Sequence, residues 1–487
     1  MQKARLLWVG FSGKNNCADT DALILIGEKL IFDFCAVVTN TRSLTIDKFI
    51  REILLMEEFS NPFGDMDSVE VGVQFLDKSL LDEVTMFEGE TLRMMDRFGV
   101  GKFVFRRVDS FDTRRRFFHF LCASWSEYLR SRKITHVVFN GVPHTASNFV
   151  AYKLAKFFKL KVMILAHEKA GIRRGNSEVF YSARFPVGGM SKSTFFIAES
   201  IEEIGNWELA EKIKSGPYDA EHSFINGVGL DPNLTTPTNV SKSRNYFLSL
   251  VRDISLIERR PAEIVEFIRA ALKSDLQRRK HIKLSDPKQL NCKEVLFCLA
   301  FQPEESTSPR AGVFVEQHLA IAALSKALPR GWLLRVREHP DQYGRRIPRS
   351  DIYLKTLRLS PNVKIVSPNE PLETSLAGVK AVAACAGSVL IEAWRRNIPV
   401  LTFGHNLLKS APGVFFIEDI TDLKRVIEKV ELGFSWSPKQ IEEFISFLSE
   451  RSFRGSLEKI SNDNSLKTDT VRNLVGIVTR WVKLKDS

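Results

Sequence analysis

Gln302-Pro303-Glu304 is followed thirty-odd residues later by His339-Pro340, and each group falls where an apolar run stops. An amide, a carboxylate and an imidazole set at the ends of neighbouring strands can hold a phosphate, bind sugar hydroxyls or move a proton. Further along, Gly387-Ser388 precedes a helix-periodic segment that carries Glu392 one turn in. A helix start of that kind offers backbone N–H groups to a phosphate or a carboxylate, and Ser388 can equally act as an ordinary N-cap.

The elements that must position these residues are legible as an alternation. Val295 to Phe301 is a continuous apolar run, as a strand covered on both faces requires. The spacing then predicts a helix from Val313 to Leu328, closed by Pro329-Arg330-Gly331, and a strand from Trp332 to Glu338. Further strands are expected at 363–366, 379–384 and around 397–404, with helices at 372–377 and 389–396 between them. Strands that each return through a helix imply a parallel, doubly wound sheet, whose ligand sits outside the carboxyl ends of the strands.

The first half repeats this logic. Ile134 to Phe139 reads as a strand ending at Asn140-Gly141-Val142-Pro143-His144; a helix follows from Ala146 to Phe158, then a strand from Val162 to Ala166 that ends at His167-Glu168. Other strands are expected at 6–11, 23–26, 30–34 and 69–75, and a helix at 114–130. The stretch from Gly216 to Thr238 is turn-rich, helix-forming sequence runs from Ile254 to His281, and the last fifty residues read as amphipathic helix.

The run from Phe301 to Glu418 resembles the donor half of the bacterial capsule polysaccharide biosynthesis family, glycosyltransferases of the two-domain GT-B type related to β-Kdo transferases. The pieces are Gln302-Pro303-Glu304, Thr307-Ser308-Pro309, Gly312-Val313-Phe314, Glu338-His339-Pro340, Gly387-Ser388 with Glu392-Ala393, Pro399-Val400 and Pro412-Gly413-Val414-Phe415. Pro143-His144 with Tyr152 to Lys156 resembles the acceptor-domain signature. The resemblance implies an α/β chain of two Rossmann-like domains facing a central cleft: 1–284 on the acceptor side, 285–435 binding the donor, and 436–487 as helices crossing back to the first domain. It implies a nucleotide-sugar donor, most simply a CMP-linked Kdo or related ulosonic acid, and a polysaccharide or glycolipid acceptor.

Roles follow from the resemblance residue by residue. Gln302, His339, Pro340, Gly387, Ser388 and Glu392 are expected on the nucleotide, His339 and Glu304 also as catalytic residues with Glu304 as base or sugar contact, and Pro143 and His144 on the acceptor side. Glu168 corresponds to an acidic residue thought to attack or stabilise the anomeric carbon, although Lys169 can occupy the matching position and Glu168 can instead pair with Arg173 or Arg174. GT-B enzymes generally offset the leaving phosphate with a helix dipole and basic side chains, so no cofactor and no metal are expected.

Composition sets the outer bounds. The 487 residues exceed one compact core, and 44% hydrophobic content describes a globular chain. No window approaches the roughly 20 apolar residues of a membrane span, so a cytoplasmic enzyme is expected. Six scattered cysteines, without metal spacing, read as reduced structural thiols. The net charge of +12, with clusters at 114–116, 278–281, 345–346 and 395–396, fits a solvated basic face or peripheral contact with an anionic membrane; no nucleic-acid motif is present. A sugar-nucleotide epimerase of the same architecture and a non-catalytic capsule-assembly protein are the alternative readings.

Overall fold

The computed structural model describes residues 4–11, 21–23, 25–26, 32–39, 50–55, 78–98, 111–166, 170–171, 182–183, 194–214, 261–289, 292–302, 304–344, 348–455 and 464–484. The chain divides into two compact units, one of 1–171, 181–230 and 442–487, the other of 172–180 and 231–441.

The first unit is built on β1 (Ala4–Phe11), β2 (Phe32–Thr39), β3 (Glu52–Leu55), β4 (His136–Phe139) and β5 (Lys161–Ala166). A two-residue pair, β6 (Ala170–Gly171) and β7 (Ser182–Ala183), precedes β8 (Thr194–Ala198). The sheet order is β15-β8-β5-β4-β1-β2-β3, parallel from β5 to β3, with β8 antiparallel to β5. The strand β15 (Phe453–Arg454) pairs with β8. The closing helix Asn464–Lys483 lays Leu474, Ile477, Val478 and Trp481 into the same core as Trp8 and Val138. Trp481 meets His136 edge to face at 5.0 Å.

The second unit carries β9 (Glu294–Cys298), β10 (Leu333–Arg337), β11 (Val363–Ile365), β12 (Ala381–Ala384), β13 (Val400–Thr402) and β14 (Val414–Phe416). All are parallel, in the order β11-β10-β9-β12-β13-β14. β9 and β12 are buried at every residue. That is why, apart from Glu294 at the start of β9, their sequences are apolar without alternation. Phe297, Leu324, Leu334 and Leu401 pack in one cluster, each burial worth about 1.5–3 kcal/mol.

Both sheets thus follow the doubly wound order, and the expected α/β fold of two Rossmann-like units is observed. In each, the first and fourth strands are neighbours whose connections leave in opposite directions, β1 beside β4 and β9 beside β12. Such a switch point opens a crevice at the carboxyl ends.

Several expectations change. Residues 21–23 and 25–26 are helical, not a strand: Leu23 and Ile26 are buried while Leu25 is 42% exposed, a three-residue period that a Leu-Ile-Leu-Ile string conceals. The strand expected at 30–34 runs from Phe32 to Thr39, centred on the buried Cys35-Ala36-Val37-Val38. The strand expected at 69–75 lies outside the described residues. The helix Pro261–Leu284, on the near side of the boundary expected at 285, belongs to the second unit.

That helix explains one supposed basic cluster. His281 is buried; its Nδ1 lies 2.6 Å from the Tyr343 hydroxyl and its Nε2 lies 3.0 Å from the Val366 carbonyl. A carbonyl only accepts, so Nε2 carries the proton and Nδ1 accepts from Tyr343. Burial holds the imidazole neutral, with its pKa lowered to about 4. Its neighbours are paired as well: Arg279 with Asp275 at 2.8 Å and Lys280 with Asp351 at 3.7 Å.

Because the folded value lies below the unfolded one near 6.5, the stability His281 contributes is present above pH 6.5 and is lost as pH falls toward 4. The linkage amounts to up to about 3 kcal/mol. Urea unfolding at pH 8 and pH 4.5 is expected to show a smaller pH difference for His281→Gln than for the wild type. Equal pH dependence of the two proteins would exclude this role.

Candidate functional site

The carboxyl rim of the second sheet is assembled around β9. Beyond Cys298 the chain stays extended, and Leu299 donates to the Arg337 carbonyl at 2.8 Å. Gln302 comes next, and all of its polar groups are engaged. Its N–H donates to Gln342 Oε1 (3.1 Å), its carbonyl accepts from Gln342 Nε2 (3.0 Å), and its Nε2 donates to the Val315 carbonyl. Gln302 is therefore a structural clamp of the rim.

Arg349, which the sequence analysis did not single out, ties this rim together. Its Nε donates to Glu338 Oε2 (2.9 Å), its Nη2 to the Ala300 carbonyl (2.8 Å), and its Nη1 to Gln302 Oε1. The other oxygen of Glu338 accepts the backbone N–H of His339 at 2.8 Å. Burial pushes the Glu338 carboxyl above the usual carboxylate range, while Arg349 and the His339 N–H pull it back down. One guanidinium thereby fixes the ends of β9 and β10 relative to each other.

His339 is half-buried at the start of the helix Pro340–Gly344. Its Nδ1 accepts the Asp341 N–H at 3.2 Å. The neutral ring therefore carries its proton on Nε2, as a donor. Pro340 begins the helix, where its missing N–H costs nothing.

Across β9 from β10 stands β12. Its chain leaves through Gly387, at φ +122°, a conformation that only glycine adopts without strain, and enters the helix Ser388–Arg395. No side chain caps this helix start among the described residues. Glu392 lies one turn below Ser388 and pairs with Arg396 at 3.4 Å. The sheet brings Gln302, His339, Pro340, Gly387, Ser388 and Glu392 onto one rim; Pro303 lies outside the described residues.

Glu304 opens a turn over this rim. Its carbonyl accepts from the N–H groups of Thr307 and Ser308, and its carboxylate accepts from the Ser306 hydroxyl at 3.4 Å. The turn reaches the ends of β12 and β13, where His405 donates its N–H to the Arg310 carbonyl at 2.9 Å. A Cβ on Gly404 would meet the Cys385 carbonyl at 2.5 Å, so this approach requires glycine. Arg337 and Arg310 are committed to protein partners: Arg337 to the Glu370 carbonyl (2.7 Å) and Ser375 hydroxyl (2.8 Å), Arg310 to Glu305 (2.5 Å).

In the first unit the corresponding switch point is closed by Asn140, whose N–H donates to the Val9 carbonyl (2.9 Å) and whose amide donates to Gly10 (3.2 Å). Pro143 and His144 follow on the carboxyl rim of β4. Thr145 caps the helix Ala146–Phe157 by accepting from Asn148 at 3.3 Å. Glu168, Lys169, Arg173 and Arg174 lie outside the described residues, as do Arg345 and Arg346. Among the described residues no cluster of His, Cys, Asp or Glu could hold a metal, and no helix is long and apolar enough to cross a membrane. Cys35, Cys298 and Cys385 are buried thiols pushed up to about 12.

No protein-family model matches the chain and no curated protein matches it. Among solved structures it is similar to the β-Kdo 2,7 transferase KpsC of Thermosulfurimonas dismutans, at 9% identity over 72% of this chain and 87% of that one, TM-score 0.30. It is similar also to the UDP-GlcNAc 2-epimerase of Methanocaldococcus jannaschii, at 13% identity over 92% of this chain and 99% of that one, TM-score 0.26. At such scores these likenesses carry no argument, and the fold rests on the strand orders given above.

Removing Arg349 leaves Glu338 buried without its counter-charge. Arg349→Ala is expected to lower unfolding stability by about 3–5 kcal/mol, and Glu338→Gln in the same chain to recover part of the loss. Urea titration of the two variants and the wild type measures both quantities; a loss below about 1 kcal/mol would show that the rim does not depend on this contact.

Proposed function

We propose that the chain is a glycosyltransferase that binds a nucleotide-sugar at the carboxyl rim of its second sheet and moves the sugar onto a polysaccharide or glycolipid acceptor. The observation that carries this reading is the switch point between β9 and β12, where the helix start at Gly387-Ser388 has no side-chain cap among the described residues and His339 stands on the adjoining strand end. Partial positive charge at the helix start and the Nε2–H of His339 together suit a nucleotide phosphate.

In this reading the same donors stabilise the phosphate as it leaves with its bonding electrons, so the reaction needs no metal or cofactor. Glu392 accepts hydrogen bonds from the ribose hydroxyls. Glu304 contacts the transferred sugar or takes a proton from the acceptor, and Glu168 supports the anomeric centre. The family resemblance read from the sequence favours a CMP-linked ulosonic acid such as Kdo. A cytoplasmic enzyme with a net charge of +12 would suit peripheral contact with an anionic membrane carrying the acceptor.

Thermal shifts with CMP, CDP, UDP and GDP test the site. One nucleotide at 100 times its Kd is expected to stabilise the fold by about 2.7 kcal/mol, and His339→Ala to abolish the shift. No shift with any of the four would support a non-catalytic capsule protein instead. Consumption of a nucleotide-sugar with no acceptor present, without transfer when acceptor is added, would favour an epimerase of the same architecture.

A further inference from the structure

The helix Pro261–Leu284 shows two faces of different chemistry. On one, Ala271, Ser274 and His281 are buried, and Ser274 and His281 hold Tyr343 of the short helix that follows His339. On the other, Arg269, Leu272, Lys273, Leu276, Arg279 and Lys283 are exposed. At about 100° per residue these fall within a stripe about 120° wide, opposite the buried face. Leu272 and Leu276 are 67% and 54% exposed, in the middle of the stripe with cations on both sides. Between Arg269 and Lys283 the only acidic residue is Asp275, which lies at the edge of the stripe and pairs with Arg279 at 2.8 Å.

The surface continues onto the neighbouring helix Asp351–Leu357. Lys280 reaches Asp351 at 3.7 Å, the next residue, Ile352, is 71% exposed, and Lys355 follows one turn on. Both ion pairs are open to solvent, where such pairs contribute little, so the cations can turn to an outside anion.

Exposed leucines flanked by cations fit few partners. A second copy of the same face would set like charges against each other across a two-fold axis. A nucleic acid would meet the cations and leave the leucines in water. An anionic bilayer surface meets both, with lipid phosphates at the Lys and Arg side chains and the leucines at the boundary of headgroups and acyl chains.

We propose that the exposed face of the helix Pro261–Leu284, together with Ile352, is the surface by which this chain lies on an anionic lipid membrane. This rests on the glycosyltransferase reading in which the acceptor is carried at a membrane, and it names the surface that makes the contact. Ser274 and His281 hold the rim helix from the opposite side, so a membrane on this face lies about 10 Å, one helix diameter, from the helix that His339 caps. A lipid-linked acceptor is thereby brought close to the donor rim.

Flotation of the full chain with vesicles of phosphatidylcholine containing one-third phosphatidylglycerol, and with phosphatidylcholine alone, is the test. The wild type is expected to bind the anionic vesicles, to bind the neutral ones at least about tenfold more weakly, and to lose affinity in about 0.5 M salt. Lys273→Glu with Lys283→Glu, and separately Leu272→Ser with Leu276→Ser, are each expected to weaken binding by about tenfold or more. Lys424→Glu with Lys429→Glu changes the net charge equally on the exposed side of the helix Leu423–Glu431, and is expected to bind within about threefold of the wild type. All the substituted side chains are exposed, and thermal unfolding checks that each variant folds.

No wild-type binding to anionic vesicles, an equal loss in the Lys424 and Lys429 pair, or wild-type binding by the leucine pair would overturn the proposal. So would a wild-type dimer in solution that the leucine substitutions dissociate, which would assign the face to a second copy. The nucleotide-induced thermal shift is read on the same proteins. Its absence with vesicle binding intact overturns the donor site and leaves this surface supported, whereas a full shift without vesicle binding overturns the surface alone.

Discussion

The buried ion pair between Arg349 and Glu338 is the contact on which the second unit's rim depends. β9 and β10 are held along their length by ladder hydrogen bonds, but these stop at Cys298 and Arg337. Beyond that point Leu299, Ala300, Phe301 and Glu338 are still buried, and side chains set the geometry of the two chains. Arg349 supplies this with donors to Ala300, Gln302 and Glu338, in the fixed fork that a guanidinium provides. The other oxygen of Glu338 holds the His339 N–H, so the direction of the imidazole is coupled to a residue ten positions further along the chain. A lysine, with one mobile ammonium, could not satisfy three acceptors on two strands in this way.

A second layer of support comes from the neutral His281. By accepting from Tyr343 it anchors the short helix that His339 caps, and Ser274 adds a hydrogen bond to the Tyr343 carbonyl at 3.0 Å. The long helix Pro261–Leu284 thus acts on the rim through the helix Pro340–Gly344. On the β12 side, glycine is required twice for different reasons, at Gly387 by its backbone angle and at Gly404 by the 2.5 Å approach of a carbonyl.

Much of this was legible in the sequence wherever burial is continuous. β9 and β12 are unbroken apolar runs that end in polar residues, so both the strands and the rim position of Gln302 and Ser388 could be read directly. Where burial follows a helical period over only a turn or two, as at Leu23 and Ile26, a four-residue apolar string is ambiguous, and the helix was read as a strand. β15 is two residues long and exists only because β8 offers an edge, which no local pattern records. Arg349 left no signal either: its partners lie 49, 47 and 11 positions away, and nothing near it in sequence distinguishes it from a surface arginine. His339 could be read from sequence as a phosphate donor or as a turn cap. The cap is made through Nδ1, which leaves the proton on Nε2, so the two readings are compatible.

The central claim is that the helix start at Ser388 receives the nucleotide phosphate, and Ser388→Pro tests it most directly. Proline is tolerated at the first position of a helix but has no N–H to donate. Calorimetric titration of CMP and of cytidine into the wild type and this variant is the measurement. The account predicts that the variant keeps the fold, binds CMP at least tenfold more weakly, and binds cytidine with unchanged affinity. Equal CMP affinity in a folded variant would contradict it.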